Sequence, residues 1–260
     1  MNRPIGIFDS GVGGLIISRA IRASLPQYDY LYFGDTEHMP YGEKTEKEIL
    51  TYTKHGLDFL FKNNCAIVII ACNTASAQAL RKIQQEYLPE KYPDKKVLGV
   101  IVPVIEDLGD THRVGILATR ATVESKSFTI EISKLFPRII VYEQMAPELA
   151  SLIEHGKIIE ANTIAHKYID RLLSHKIHTL ILGCTHYPMI KDRIRKLCGD
   201  NIGVISQDEI VPKKLEEYFK HHPEIESKLS RGGTFDIRMS ATNPYIQKLT
   251  WEWMPVDTGK

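Results

Sequence analysis

The chain has 260 residues, 43% hydrophobic and 25% charged, with 33 Lys plus Arg against 32 Asp plus Glu and a net charge of +1. This composition can bury a core, so a globally disordered chain is excluded, and the charge balance argues against a general electrostatic nucleic-acid binder. The length predicts one large α/β unit or two small ones, and four cysteines (Cys65, Cys72, Cys184 and Cys198) are too few for a disulfide framework.

Short apolar runs alternate along the chain with longer amphipathic ones. Strands are predicted at residues 5–8, 30–33, 66–71, 97–101, 114–117, 139–142, 179–182 and 202–205. Their near-continuous apolar character suits a parallel sheet covered on both faces. Helices are predicted at residues 14–24, 46–63, 76–87, 122–135, 147–155, 159–175 and 190–197. Strand–helix alternation of this kind builds doubly wound α/β sheets, whose ligand sites lie at the carboxyl ends of the strands. The longest near-apolar stretch, residues 66–71, is far short of the roughly 20 residues that cross a bilayer. A cytoplasmic protein with no membrane or nucleic-acid partner is expected, with free thiols.

The two halves of the chain resemble each other. IGIFD at residues 5–9 matches VGILA at 114–118, and each half later runs into an apolar strand ending at a cysteine, VIIACNTAS with Cys72 and LILGCTHYP with Cys184. Asp9 precedes Cys72 by 63 residues and Ala118 precedes Cys184 by 66. An approximate internal duplication explains both spacings. Two domains are expected, at about 1–97 and 98–206, with 207–260 returning to pack on the first.

Three segments carry candidate chemistry. The turn DSGVGG after the first strand is suited to close backbone approach to an anion, but it matches neither G-x-G-x-x-G nor a P-loop. The polar loop GDTEHMPYG at 34–42 reads as a functional loop at the carboxyl edge of the sheet. The sharpest signal is the pair Cys72-Asn73-Thr74 and Cys184-Thr185-His186. Each puts a thiol at the end of a buried strand beside an expected helix N-terminus, a place that lowers a thiol pKa. His186 is placed to polarise Cys184 or to act on a ligand directly. Neither cysteine has a CxxC partner, so a structural zinc or a redox disulfide lacks its ligand pattern. Cys65 and Cys198 read as structural. Two thiols facing each other across a cleft suit stereoinversion at carbon, where one thiolate removes a proton from one face and the other thiol delivers one to the opposite face.

In order and spacing, FDSGVGG, GDTEHMPYG, ACNTAS and LGCTHYP resemble the glutamate racemases of the cofactor-independent aspartate/glutamate racemase superfamily, as do GVIVP (99–103), LATRATVES (117–125) and PELASLIEHG (147–156). The resemblance covers residues 6 to about 210. It implies two doubly wound α/β domains with pseudo-two-fold symmetry around a central cleft, no metal or pyridoxal cofactor, a homodimer, and interconversion of L- and D-glutamate for peptidoglycan. It implies Cys72 as the thiol acting on the D-isomer and Cys184 on the L-isomer. Asp9 would assist Cys72, while His186 and Glu154 would assist Cys184. Substrate contacts would be Asp9, Ser10, Pro40, Tyr41, Gly42, Asn73, Thr74, Thr185 and His186, with Thr119 and Thr122 toward the γ-carboxylate. Ser206-Gln207-Asp208 stands where a Ser-Gly-Asp type segment is common, which leaves that turn open. An aspartate racemase and a non-catalytic amino-acid-binding protein are the rival readings. Retention of both thiols argues against the second.

Overall fold

The computed structural model describes residues 3–254. In chain order the elements are β1 (Ile5–Asp9), α1 (Gly14–Ser24), β2 (Tyr30–Gly34), α2 (Glu46–Lys62), β3 (Ile67–Ile70), α3 (Asn73–Gln78), α4 (Leu80–Lys82), a π-helical turn (Ile83–Tyr87), α5 (Leu88–Lys91) and β4 (Lys96–Gly99). They continue with α6 (Ile101–Glu106), β5 (Arg113–Ala118), α7 (Arg120–Glu124), α8 (Ser127–Leu135), β6 (Ile140–Met145), α9 (Leu149–Glu154), α10 (Ile158–Ser174), β7 (Thr179–Gly183), α11 (Lys191–Cys198) and β8 (Gly203–Ser206). The return segment holds α12 (Gln207–His221), α13 (Pro223–Glu226), β9 (Phe235–Met239) and α14 (Pro244–Trp253).

Two parallel sheets result, in the orders β4-β3-β1-β2-β9 and β6-β5-β7-β8. In each, the first strand is flanked by the second on one side and the third on the other, with the fourth outside the third. The halves therefore share one doubly wound topology, as the sequence predicted, and β9 is an addition to the first sheet.

Period-two alternation sends neighbouring strand residues to opposite layers. Ile5 and Ile7 of β1, with Ile67 and Ile69 of β3, pack among residues of α1, α12 and α14, while Phe8, Val68 and Ile70 pack on the other face with Ile49 and Leu57 of α2. In the second sheet Leu180 and Leu182 face α9 and α10, and Ile181 faces α6 and α8. Burial on both faces is why these strands read as continuous apolar runs.

Several boundaries differ from the sequence reading. The strand expected at 97–101 ends at Gly99, because Val100 adopts φ −100° and ψ 0° and the chain turns into α6. The helix expected at 76–87 starts earlier, at Asn73, and is divided at Ala79 and by the π-helical turn. The helix expected at 122–135 is broken at Lys126, whose φ of 57° interrupts the helical hydrogen bonding between α7 and α8.

Candidate active site

The site is built from the carboxyl ends of the four central strands. β1 delivers Asp9 and Ser10, β3 delivers Cys72, β5 delivers Thr119, and β7 delivers Cys184. The two halves touch directly here. A Cβ on Gly13, in the turn after β1, would lie 2.5 Å from both the Thr185 hydroxyl and the His186 ring, so this turn needs glycine to let the second half approach. Thr74 Oγ1 of the first half is 2.9 Å from Thr119 Oγ1 and 3.3 Å from Thr122 Oγ1 of the second, and those two are 2.9 Å apart. Three buried hydroxyls thus converge across the cleft.

Cys72 caps α3, its sulfur accepting the Ala75 N–H at 3.4 Å and lying 3.2 Å from Ser10 Oγ. Burial, reinforced by the Asp9 carboxylate, pushes its thiol up to about 12. This corrects the expectation that its helix N-terminus would lower the thiol pKa. α3 is only six residues long, and the removal of solvent outweighs its dipole. Asp9 is buried, with its Oδ1 accepting the Gly11 N–H at 3.1 Å. Desolvation lifts its carboxyl to about 6, against the pull of the His186 charge and the amides of Gly14 and Gly11.

The second thiol has different company. Cys184 precedes a 3₁₀ turn at Tyr187–Ile190 and so caps no α-helix, contrary to the sequence expectation. Its sulfur lies 3.7 Å from His186 Nδ1, and His186 Nε2 lies 3.0 Å from Glu154 Oε2. Burial disfavours the imidazolium, but the contacts with Cys184 and Glu154 prevail and bring His186 to about 10. These contacts favour the protonated imidazole, with Nδ1 toward Cys184 and Nε2 toward Glu154.

The remaining expected residues are distributed as follows. Tyr41 is buried and donates its hydroxyl to Asp35 Oδ2 at 2.6 Å, which ties the 34–42 loop to the end of β2. Pro40 is exposed, and Gly42 lies against Thr119. Asn73 is buried and paired with Gln207, its Nδ2 donating to Gln207 Oε1 at 2.6 Å and its Oδ1 accepting from Gln207 Nε2. Cys65 and Cys198 are free and buried, in the cores of the first and second halves. Among the described residues, no group of three or more His, Cys, Asp or Glu side chains is placed to hold a metal ion.

Three supporting residues escaped the sequence reading. Gln207 holds Asn73, Trp253 of α14 meets the His186 ring edge-on at 5.6 Å, and the Tyr245 hydroxyl donates to the Glu154 backbone carbonyl. All three lie in the return segment. The departure at Ser206-Gln207-Asp208 was the one signal pointing to any of them.

The model of the Asp/Glu/Hydantoin racemase family matches residues 16–208. The glutamate racemase of Jannaschia sp. is 36% identical over 268 residues, covering 95% of this chain and 98% of its own length. The crystal structure of glutamate racemase from Francisella tularensis in complex with D-glutamate superposes with a TM-score of 0.87 at 30% identity, covering 97% of this chain and 94% of that one. An aspartate racemase from Picrophilus torridus shares the fold alone, at a TM-score of 0.60 and 19% identity over 84% of this chain and 94% of its own. The chain belongs to the Asp/Glu/Hydantoin racemase family and is an isomerase of the amino-acid racemase class. Within that class it stands with the glutamate racemases.

Proposed function

We propose that the protein interconverts L-glutamate and D-glutamate by two-base proton transfer at Cα between Cys184 and Cys72, supplying D-glutamate for peptidoglycan. The observation that carries this reading is the pairing of two buried thiols at equivalent strand ends with unlike acid–base partners. With its thiol at about 12, Cys72 holds its proton at neutral pH and is ready to donate. Cys184 has His186 Nδ1 at 3.7 Å, placed to hydrogen-bond its sulfur. In the L-to-D direction the Cys184 sulfur takes the Cα proton as Cys72 delivers its own to the opposite face. This leaves Cys184 protonated and Cys72 as thiolate. Asp9, titrating at about 6, is suited to return a proton toward Cys72, while Cys184 releases the proton it has gained to solvent beside the His186–Glu154 pair.

Ser10 and Asp9 lie on the Cys72 side, Thr185 and His186 on the Cys184 side, and the Thr74, Thr119 and Thr122 hydroxyls offer donors for the γ-carboxylate. Pro40, Tyr41 and Gly42 would close the cleft from the loop. The domain division we adopt is residues 1–97 plus 207–260 and residues 98–206. Pairing of β9 with β2 supports the return, and the placement of β4 in the first sheet supports moving the first boundary to about 99. Residues 1, 2 and 255–260 lie outside the described residues. We further place the protein in the cytoplasm, where its four thiols stay reduced, as a homodimer. Light scattering on the purified protein tests the dimer. Among the described residues no helix is long and apolar enough to cross a membrane.

The deciding experiment is a D-amino-acid assay on purified protein with L-glutamate and L-aspartate side by side, in deuterated water and without added cofactor. D-Glutamate carrying deuterium at Cα is expected. Turnover of aspartate alone, or product without deuterium, overturns the reading.

A further inference from the structure

Gln207 stands at a junction of three chain segments. It begins α12, where the chain leaves the second sheet. Its Nε2 lies 3.5 Å from the carbonyl of Val100, where the chain first crosses from β4 toward the second half. Its amide pairs reciprocally with that of Asn73, next to Cys72. Gln207 and Asn73 are 1% and 2% exposed, so neither amide has solvent as an alternative partner.

A reciprocal amide pair survives if both partners turn over together, so by itself it does not fix which way either faces. The Val100 carbonyl breaks that tie. It accepts from an N–H and would repel an oxygen, so it holds the Gln207 NH2 toward itself. Gln207 then presents its oxygen to Asn73 Nδ2, and Asn73 is oriented in turn. Each Asn73 polar atom has one position left over: one hydrogen on Nδ2 and one lone pair on Oδ1. The direction of those remaining groups beside Cys72 is set by Gln207.

We infer that Gln207 is a positioning residue for the racemase reaction, fixing the orientation of the Asn73 amide that contacts the amino-acid head group and tying that orientation to the crossover at Val100. The inference rests on the proposed reading of Asn73 as a substrate contact. For a contact held through ground and transition states alike, loss of orientation raises KM and leaves kcat in place, and that is the signature the inference expects at Asn73.

The test is a double-mutant cycle on the full-length enzyme with both glutamate enantiomers. Gln207→Met removes the amide at similar volume and is expected to raise KM about three- to tenfold, the scale of one lost neutral hydrogen bond, with kcat within about twofold of wild type. Gln207→Glu keeps an acceptor for Asn73 Nδ2 but loses the donor to Asn73 Oδ1 and Val100. It should raise KM in the same way and serves if Gln207→Met fails to fold. Asn73→Ala should raise KM at least as much, and Asn73→Ala combined with Gln207→Met should be no worse than Asn73→Ala alone. An unmoved KM in folded Gln207 variants, or additive losses in the double variant, overturns the inference while wild-type racemisation continues. Absence of wild-type turnover of glutamate on the same preparation would instead overturn the proposed function.

Discussion

The two halves share a strand order and place a thiol at the same point of it, yet they surround those thiols differently. Cys72 has a serine hydroxyl at 3.2 Å, a helix amide at 3.4 Å and a buried carboxyl titrating at about 6. Cys184 has an imidazole nitrogen at 3.7 Å, the ring held on its far side by a carboxylate at 3.0 Å. At the position equivalent to Asp9, the end of β5, the second half has Ala118. Where the first half follows its cysteine with Asn73 and Thr74, the second has Thr185 and His186. The shared strand order supplies the scaffold, and differences at a few strand-end positions give the two thiols unlike surroundings. A reaction that needs one thiol protonated and the other not requires such a difference.

The bluntest way to break this comparison is to remove one sulfur. Cys72→Ala and Cys184→Ala should each lower racemisation by about a thousandfold or more, within the range ascribed to a positioned acid or base. A wild-type rate in either variant, measured by loss of optical rotation, would sink the two-thiol reading.

Substitutions at the assisting groups sharpen it. His186→Asn and Asp9→Asn should each cost roughly a hundredfold. Because the two enantiomers are of equal energy, kcat/KM must fall equally in both directions. The individual kcat values need not, and His186→Asn should depress L-to-D turnover more, Asp9→Asn D-to-L turnover. Identical kcat losses in both directions for both variants would show that the assistance is not partitioned between the halves.

Asp9 also marks the halves apart in stability. Its carboxyl is near 3.8 in an unfolded chain and about 6 in the fold, so the folded protein binds more protons than the unfolded between those values. Stability from this group falls as pH rises through that window, and the penalty is complete above about 6. Asp9→Asn carries no such penalty. In urea unfolding it should differ little from wild type in pH dependence below pH 4, yet gain on the order of 2 kcal/mol relative to wild type between pH 4 and 7. A gain that shrinks with rising pH would contradict the assignment. The smallest effect is expected at Trp253, whose edge contact steadies the His186 ring. Trp253→Leu should reduce kcat about threefold, the scale of one aromatic contact, in stopped assays with saturating glutamate.

How much of this was legible in the sequence follows from burial. β1, β2, β3, β5 and β7 were visible because both of their faces are covered and their residues are almost all apolar, and the edge strands β4, β6 and β8 were visible by their short apolar runs alone. β9 was not, because FDIRM is an edge strand with half-buried residues alternating with exposed Asp236 and Arg238. α6 was hidden inside an apolar run that periodicity could not divide, and α12 carries Pro212 within it. The two thiols were legible as local motifs repeated at matched spacing. Their protonation was not. The helix-end argument gave the wrong direction for Cys72, because the controlling quantities, burial and the Asp9 charge, arise only in the fold. Gln207, Tyr245 and Trp253 reach the site from far along the chain, and no local pattern announces such contacts.

The pairing of β9 with β2 bears on the order in which the chain acquires structure. The second half is one uninterrupted stretch, whereas the first sheet waits for a strand translated some two hundred residues after its neighbour. During synthesis the second half can close while still near the ribosome, and the first keeps an open edge until the end. An edge left unpaired is where misassembly begins, and the charged Asp236 and Arg238 on the final strand guard the edge that replaces it.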